Sequence, residues 1–269
     1  MAYQTVILEK EEDIAVLTLN RPETLNAWNE QLELDAWAAV EEVERDKAIR
    51  VLIITGAGRG FSSGADVPSL LKAAQGTSSD EGMFIRIVKG EPNLVALCKK
   101  LRDMNIPVIA AVNGMTAGGG FGFALACDIR IAAESAKFSM AFIRRGLVPD
   151  CGSTFFLPRA VGTGYACELM FSGDVIDAAT ALRMGIVNRV VPDPELMQTA
   201  KELAKRIAKN PPIALRLTKK AIYQGLEEPD VSAHMEREVY CNRTLFDTLD
   251  FKEGVTSFLE KREPHFSGR

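Results

Sequence analysis

Two short stretches hold the residue types from which a reaction could be built. Residues 113–125 read NGMTAGGGFGFAL, with Gly118, Gly119 and Gly120 between an apolar strand and an apolar run, and Asp150 stands alone in the later turn PDCGS. The first N–H groups of a helix have no intrahelical partner. Glycines let a ligand atom come close to them, and the helix dipole adds partial positive charge at the same place. Such a cradle suits an anion; it also suits a tight turn or close helix packing. A second exposed turn, GFSSGAD at residues 60–66, follows the strand VLIITG and offers the Ala65 N–H as a further donor. Two donors preset on a carbonyl oxygen stabilise the enolate formed when an α-proton leaves, each by about 3–4 kcal/mol.

Asp150 admits two readings with opposite electrical demands. Following Pro149 and preceding GSTFFLPRAVG, it is placed as a helix N-cap, where the dipole stabilises the carboxylate by about 0.3–1 kcal/mol. Alternatively, burial among Phe142, Leu147, Val148 and Phe155 raises its pKa, at about 1.36 kcal/mol per unit, and poises it to accept and return a proton.

Much other chemistry is excluded. The two histidines, His234 and His265, both lie near the C-terminus, so a Ser-His or Cys-His nucleophile in the core has no base. No H-x-x-x-H metal pair, G-x-S-x-G elbow or phosphate-binding G-x-x-x-x-G-K-[ST] loop occurs. The dinucleotide fingerprint fails because Phe123 and Leu125 stand where its third glycine belongs. A net charge of -4 gives no basic field for nucleic acid. Five cysteines without C-x-x-C pairing read as reduced thiols, which together with an N-terminus unlike a secretion signal favours the cytoplasm. No apolar run is long enough to cross a bilayer.

The elements that must position these residues follow from periodicity. Alternation around KEED predicts a hairpin over residues 3–20, ELDAWAAVEEVERD has helical spacing, and IRVLIITG is a buried strand. A helix over residues 83–103 leads into the strand IPVIAAVNG, and CDIRIAAE follows the apolar helix after the glycines. The strand, strand, helix unit recurs, which implies stacked turns of sheet with helices outside. From about residue 194 strands give way to four amphipathic helices, so residues 1–193 form an α/β core and 194–269 a helical segment. The apolar faces left over imply a covering surface, either this core or a neighbouring subunit.

At these residues the sequence resembles the crotonase, or enoyl-CoA hydratase/isomerase, superfamily, through LNRPETLNAWN, FSSGADV, NGMTAGGGFGFALACDIRIAAESAKF, GLVPDCGST and SGDVIDAATALRMGIVNRVV. The resemblance implies a crotonase-like spiral of β-β-α repeats with a C-terminal helical trimerisation segment, assembled as a homotrimer or dimer of trimers. It implies an acyl-CoA thioester as substrate, with no metal or other cofactor. The oxyanion donors would be Ala65 and Gly119, with Gly118 and Phe142 beside the substrate. Ala27, Asp66 and Val67 would line the adenine and pantetheine path, and Phe258 and Lys261 would reach a neighbour's CoA.

Hydratases of this family place glutamates at the positions of Gly122 and Phe142, so both carboxylates are missing here. Asp150 is the acid that remains at a site the family uses. That position carries the single base in one group of Δ3,Δ2-enoyl-CoA isomerases, and the sequence looks most like the 1,2-epoxyphenylacetyl-CoA isomerases of phenylacetate breakdown. The expectation is therefore an isomerase that shifts a double bond, or opens a ring epoxide, through a thioester enolate with Asp150 as its one acid/base. The alternatives are an enoyl-CoA hydratase, an aryl-CoA dehalogenase-like hydrolase with Asp150 as nucleophile, and a non-catalytic acyl-CoA binder.

Overall fold

The computed structural model describes residues 3–75 and 91–269. The expected hairpin is present: β1 (Val6–Glu11) pairs antiparallel with β2 (Ile14–Leu19) across a turn where Glu12 takes a left-handed φ of 53°. From β2 onward the main sheet is parallel, through β3 (Val51–Gly56), β5 (Val108–Val112), β7 (Ile129–Ala133) and β10 (Arg189–Val191). A second sheet stacks β4 (Gly60–Ser62), β6 (Met115–Ala117) and β8 (Lys137–Ser139) in parallel, closed by antiparallel β9 (Val175–Asp177). Each main-sheet strand β3, β5 and β7 is thus followed at once by a short strand of the second sheet. A helix comes next: α2 (Val67–Ala74), α4 (Gly119–Ala126) or α5 (Ser153–Ser172). This is the β-β-α spiral. Of the helix expected over 83–103, the described part is α3 (Leu94–Asp103), and the rest lies outside the described residues.

Strand period explains why the main sheet is buried on both faces. Ala15, Leu17, Leu52, Ile54, Val108 and Ala110 point into one core, while Ile14, Val16, Val51, Ile53, Ile109 and Ala111 point into the other. The first core is covered by α1 (Glu30–Arg45), whose Leu32, Ala36, Ala39, Val40 and Val43 recur at helical spacing behind an Asn29 N-cap. Four phenylalanines, Phe61, Phe121, Phe123 and Phe138, are fully buried there, each contributing about 1.5–3 kcal/mol.

The second core is covered by α7 (Leu196–Ala208), reached through α6 (Ala178–Met184). Ala200, Ala204 and Ala208, one turn apart, bring its backbone close to the sheet. Beyond it α8 (Pro212–Gly225), α9 (Val231–Phe246) and α10 (Leu249–Glu260) complete the four predicted helices. Their outer faces leave Ile222, Val239, Tyr240, Phe246 and Phe258 exposed. Among the described residues, no helix is long and apolar enough to cross a membrane.

Candidate active site

The two turns singled out from the sequence meet. After β4 the chain turns at Gly64, φ +89°, beside Trp28. The Trp28 N–H donates to the Gly64 carbonyl at 2.8 Å and the Asp66 N–H donates to the Trp28 carbonyl at 2.9 Å. Those bonds straddle Ala65, whose own N–H donates to no other described residue. After β6, Gly118 adopts φ 53° and ψ -126°, a conformation open to glycine alone, and its N–H donates to the Ser139 carbonyl at 3.0 Å. That bend makes Gly119 the first residue of α4, with an N–H that the helix cannot satisfy. A Cβ placed on Gly64 would lie 3.4 Å from the Gly119 nitrogen, so the two donors belong to touching turns. Every residue of α4 is buried, which keeps this helix terminus in a poorly hydrated setting.

Asp150 lies in the segment that packs on the same helix. It does not cap α5: the N-cap is Gly152, φ 73°, with no side-chain cap bond, and Asp150 contributes only its carbonyl, which accepts the Ser153 N–H at 2.9 Å. The expected N-cap role is thus corrected. The left-handed pair Cys151 and Gly152 turns the chain too sharply for the Asp150 side chain to point back along the helix. The expected apolar enclosure is corrected as well. Of its four members Phe142 is buried, whereas Leu147, Val148 and Phe155 are exposed, because a single helical turn at Ile143–Arg145 ends in left-handed Gly146 and carries the loop outward. Asp150 itself keeps one side open to solvent. Its carboxyl is nonetheless crowded by protein on the other side, and that loss of water raises its pKa above the ordinary aspartate range, opposed by a hydrogen bond from the Cys151 thiol. Among the described residues it is the one carboxyl shifted upward.

Cys151 explains what became of the missing carboxylates. A Cβ on Gly122 would stand 2.7 Å from the Cys151 Cβ and 2.8 Å from the Ser153 Oγ, so the position where the resemblance expects a glutamate has no room for a side chain. Cys151 accepts an unfavourable left-handed φ of 53° to sit there. Its thiol is held well above its ordinary pKa, first by the neighbouring Cys98 thiol and then by burial and the Asp150 charge, which keeps it protonated and unreactive. The Phe142 ring packs 3.9 Å from where a Gly118 Cβ would lie, filling the other position with hydrocarbon.

Ala27 and Asp66 are brought together by a residue the sequence reading did not single out. Arg21 donates from Nη1 to the Ala27 carbonyl at 2.5 Å and to the Asp66 Oδ2 at 2.9 Å, locking the segment before α1 to the Ala65 turn. Its one signal was membership of the motif LNRPETLNAWN. Val67 is 63% exposed on α2. Phe258, 82% exposed, and Lys261, a left-handed cap at φ 56°, lie on α10 and its end, and neither shares a hydrogen bond, ion pair or ring contact with this cluster. Two further polar atoms near the turns were also missed: the Ser153 Oγ and the Trp28 Nε1 are buried without hydrogen-bond partners. All five cysteines are free, and among the described residues no group of three or more His, Cys, Asp or Glu could hold a metal ion.

The sequence model of the family described as "Enoyl-CoA hydratase/isomerase" matches residues 9–269. The chain is 41% identical to a crotonyl-CoA hydratase of Syntrophomonas wolfei, over 99% of each chain. It is 39% identical to the 1,2-epoxyphenylacetyl-CoA isomerase of Escherichia coli, over 98% of each. A crystal structure of an enoyl-CoA hydratase from Bacillus anthracis superposes with a TM-score of 0.91 at 33% identity, covering 99% of this chain and 100% of that one.

Proposed function

Because the chain belongs to the enoyl-CoA hydratase/isomerase family, we propose that it is an acyl-CoA isomerase with Asp150 as its single acid/base. The observation that carries this reading is the packing of Cys151 and Ser153 against Gly122, which fills the place of a hydratase glutamate and leaves Asp150, the chain neighbour of Cys151, as the candidate acid/base.

In this mechanism the Ala65 and Gly119 N–H groups hold the thioester oxygen. Asp150 removes a proton from C2, the electron pair delocalises onto that oxygen, and the same carboxyl returns the proton at C4, so that the double bond moves with no net gain or loss of atoms. A raised pKa favours the return step, since a stronger base gives a conjugate acid that persists until the dienolate collects its proton. Hydration needs a second group to activate water, and neither Gly122 nor Phe142 supplies one. The same enolate chemistry applied to a ring epoxide would give the reaction named for the E. coli relative. The exposed apolar faces of α9 and α10 support assembly as a trimer or dimer of trimers, in which Phe258 and Lys261 would reach a neighbour's CoA.

The test is to incubate the protein separately with 3-enoyl-CoA, 2-enoyl-CoA and 1,2-epoxyphenylacetyl-CoA, and to repeat each with Asp150→Asn. Isomerisation without net hydration, lost in the variant, is the expected result. Efficient water addition to 2-enoyl-CoA by the unaltered protein would overturn the proposal in favour of a hydratase.

A further inference from the structure

At the opposite end of α4 from the oxyanion turns, a cleft of about 420 Å³ opens between α5, α8 and the strand starts of the main sheet. Its wall takes in Leu125 near the end of α4, six residues or about 9 Å along the helix from Gly119, on the side where β5 and β7 enter the sheet. Four cations line it: Arg102 at the end of α3, Arg130 on β7, Arg159 on α5 and Lys219 on α8. Against them stands one carboxylate, Asp128.

Asp128 is already committed. Its Oδ2 accepts from the Lys219 Nζ at 2.9 Å and from the Val108 N–H at 2.7 Å, while its Oδ1 accepts from the Tyr223 hydroxyl. Lys219 is committed too, donating also to the Leu101 and Ile106 carbonyls at 3.0 Å each. The three arginines make no ion pair with any described residue. The Arg102 guanidinium carbon lies over two rings, 4.3 Å from the Phe156 centroid and 4.0 Å from that of Tyr223. The Arg102 Nε is buried with no acceptor, and its hydrogen bond from Nη2 to the Leu125 carbonyl is long, at 3.4 Å. Arg130 spends Nε and Nη1 on the Ile186 and Cys127 carbonyls, and Arg159 spends only Nη1, on the Phe155 carbonyl.

An arginine fixed by aromatic stacking is preorganised for an anion: the rings hold the fork in place, and the donors of its Nη groups not spent on Leu125 are left for an acceptor. The remainder of the wall is apolar, made by Ile207, Leu215, Ile222 and Leu226. Inorganic phosphate, which needs polar groups all round, fits such a wall poorly. A carboxylate on a hydrocarbon body fits both halves, with its oxygens on the arginine forks and its body against the apolar wall.

We propose that this cleft is a second ligand site that binds an organic monocarboxylate with an apolar body, held by Arg102 and Arg159 and separate from the acyl-CoA site. The probe is octanoate, titrated calorimetrically into the protein with excess CoA thioester present to occupy the other site, and compared with octanol and inorganic phosphate. Saturable binding of one octanoate per chain is expected, with octanol and phosphate each at least about tenfold weaker. Arg159→Gln, an exposed position that leaves the fold intact, should weaken octanoate by about tenfold, the loss of one charge-assisted contact. Arg102→Gln should weaken it further if that variant folds. Absence of saturation, displacement of octanoate by the CoA thioester, phosphate binding as tight as octanoate, or an affinity unchanged in Arg159→Gln would each overturn the proposal.

Discussion

Replacing Gly122 with alanine adds one methyl group to α4, and the packing of Cys151 sets the sign of the effect. In an unobstructed helix the change stabilises by about 1 kcal/mol, since glycine loses the most backbone entropy on folding. Here the new Cβ would meet the Cys151 Cβ at 2.7 Å and the Ser153 Oγ at 2.8 Å, well inside ordinary contact distance. Relieving such overpacking typically costs about 1–3 kcal/mol, so the net effect should be a loss of about 1 kcal/mol and a fall in Tm of about 2–4 °C. Cys151→Gly removes the main obstacle and suits the left-handed φ at that position. In that background Gly122→Ala should lose most of its cost, the Ser153 Oγ and the residue 151 carbonyl at 3.2 Å being the contacts that remain, for a coupling of about 1 kcal/mol in a double-mutant cycle measured by urea unfolding. If Gly122→Ala raises the Tm of the otherwise unaltered protein, or if the two changes add without coupling, then Cys151 does not occupy the missing glutamate's place and the argument against hydration loses its physical basis.

Asp150→Asn should reduce isomerisation by about 10²–10⁴-fold, measured as deuterium exchange at C2 of the acyl-CoA in D₂O. Activity should require the ionised carboxylate, so its acid limb should lie above the ordinary aspartate range; a limb at or below that range would contradict the crowding of the carboxyl. For stability the sign runs the other way. A folded pKa above the unfolded value means the native state holds the proton more tightly, so this group's contribution is full at acid pH and is lost as pH rises through the folded pKa. Urea unfolding of Asp150→Asn should therefore show it gaining on the parent as pH rises to neutrality. Gly118→Ala forces a side chain into φ 53° and ψ -126° and tilts the Gly119 N–H away from the thioester oxygen; kcat should fall about 10²–10³-fold with little change in KM. Arg21→Leu leaves Asp66 in a largely buried site without its cation and should destabilise by about 3 kcal/mol, seen as a lower urea midpoint, with weaker acyl-CoA binding.

Local chemistry made much of this protein legible from its sequence. Alternation in the hairpin over residues 3–20, the continuous apolar run of VLIITG, helical spacing in α1 and the four C-terminal helices, and the glycines that mark Gly118 and Gly119 as a helix start are properties of contiguous residues, and all stand where the sequence pattern puts them. Composition likewise excluded histidine-based nucleophiles from the core. What a sequence cannot contain is the distance between segments far apart along it. Sequence spacing allowed Asp150 to be an N-cap or a buried acid, and the structure makes it neither, because the left-handed turn at Cys151 and Gly152 redirects the side chain to a crowded, half-open rim. The absence of a carboxylate at Gly122 was readable; that Cys151 fills the space was not, since the contact exists only once α4 and the loop before α5 are packed. Arg21 meets Asp66 across 45 residues, and Tyr223 meets Asp128 across 95. Periodicity fixes which face of an element is apolar. Which charged groups then share one cleft is decided by the packing of elements against one another, a sum of many weak contacts that no single stretch of sequence records.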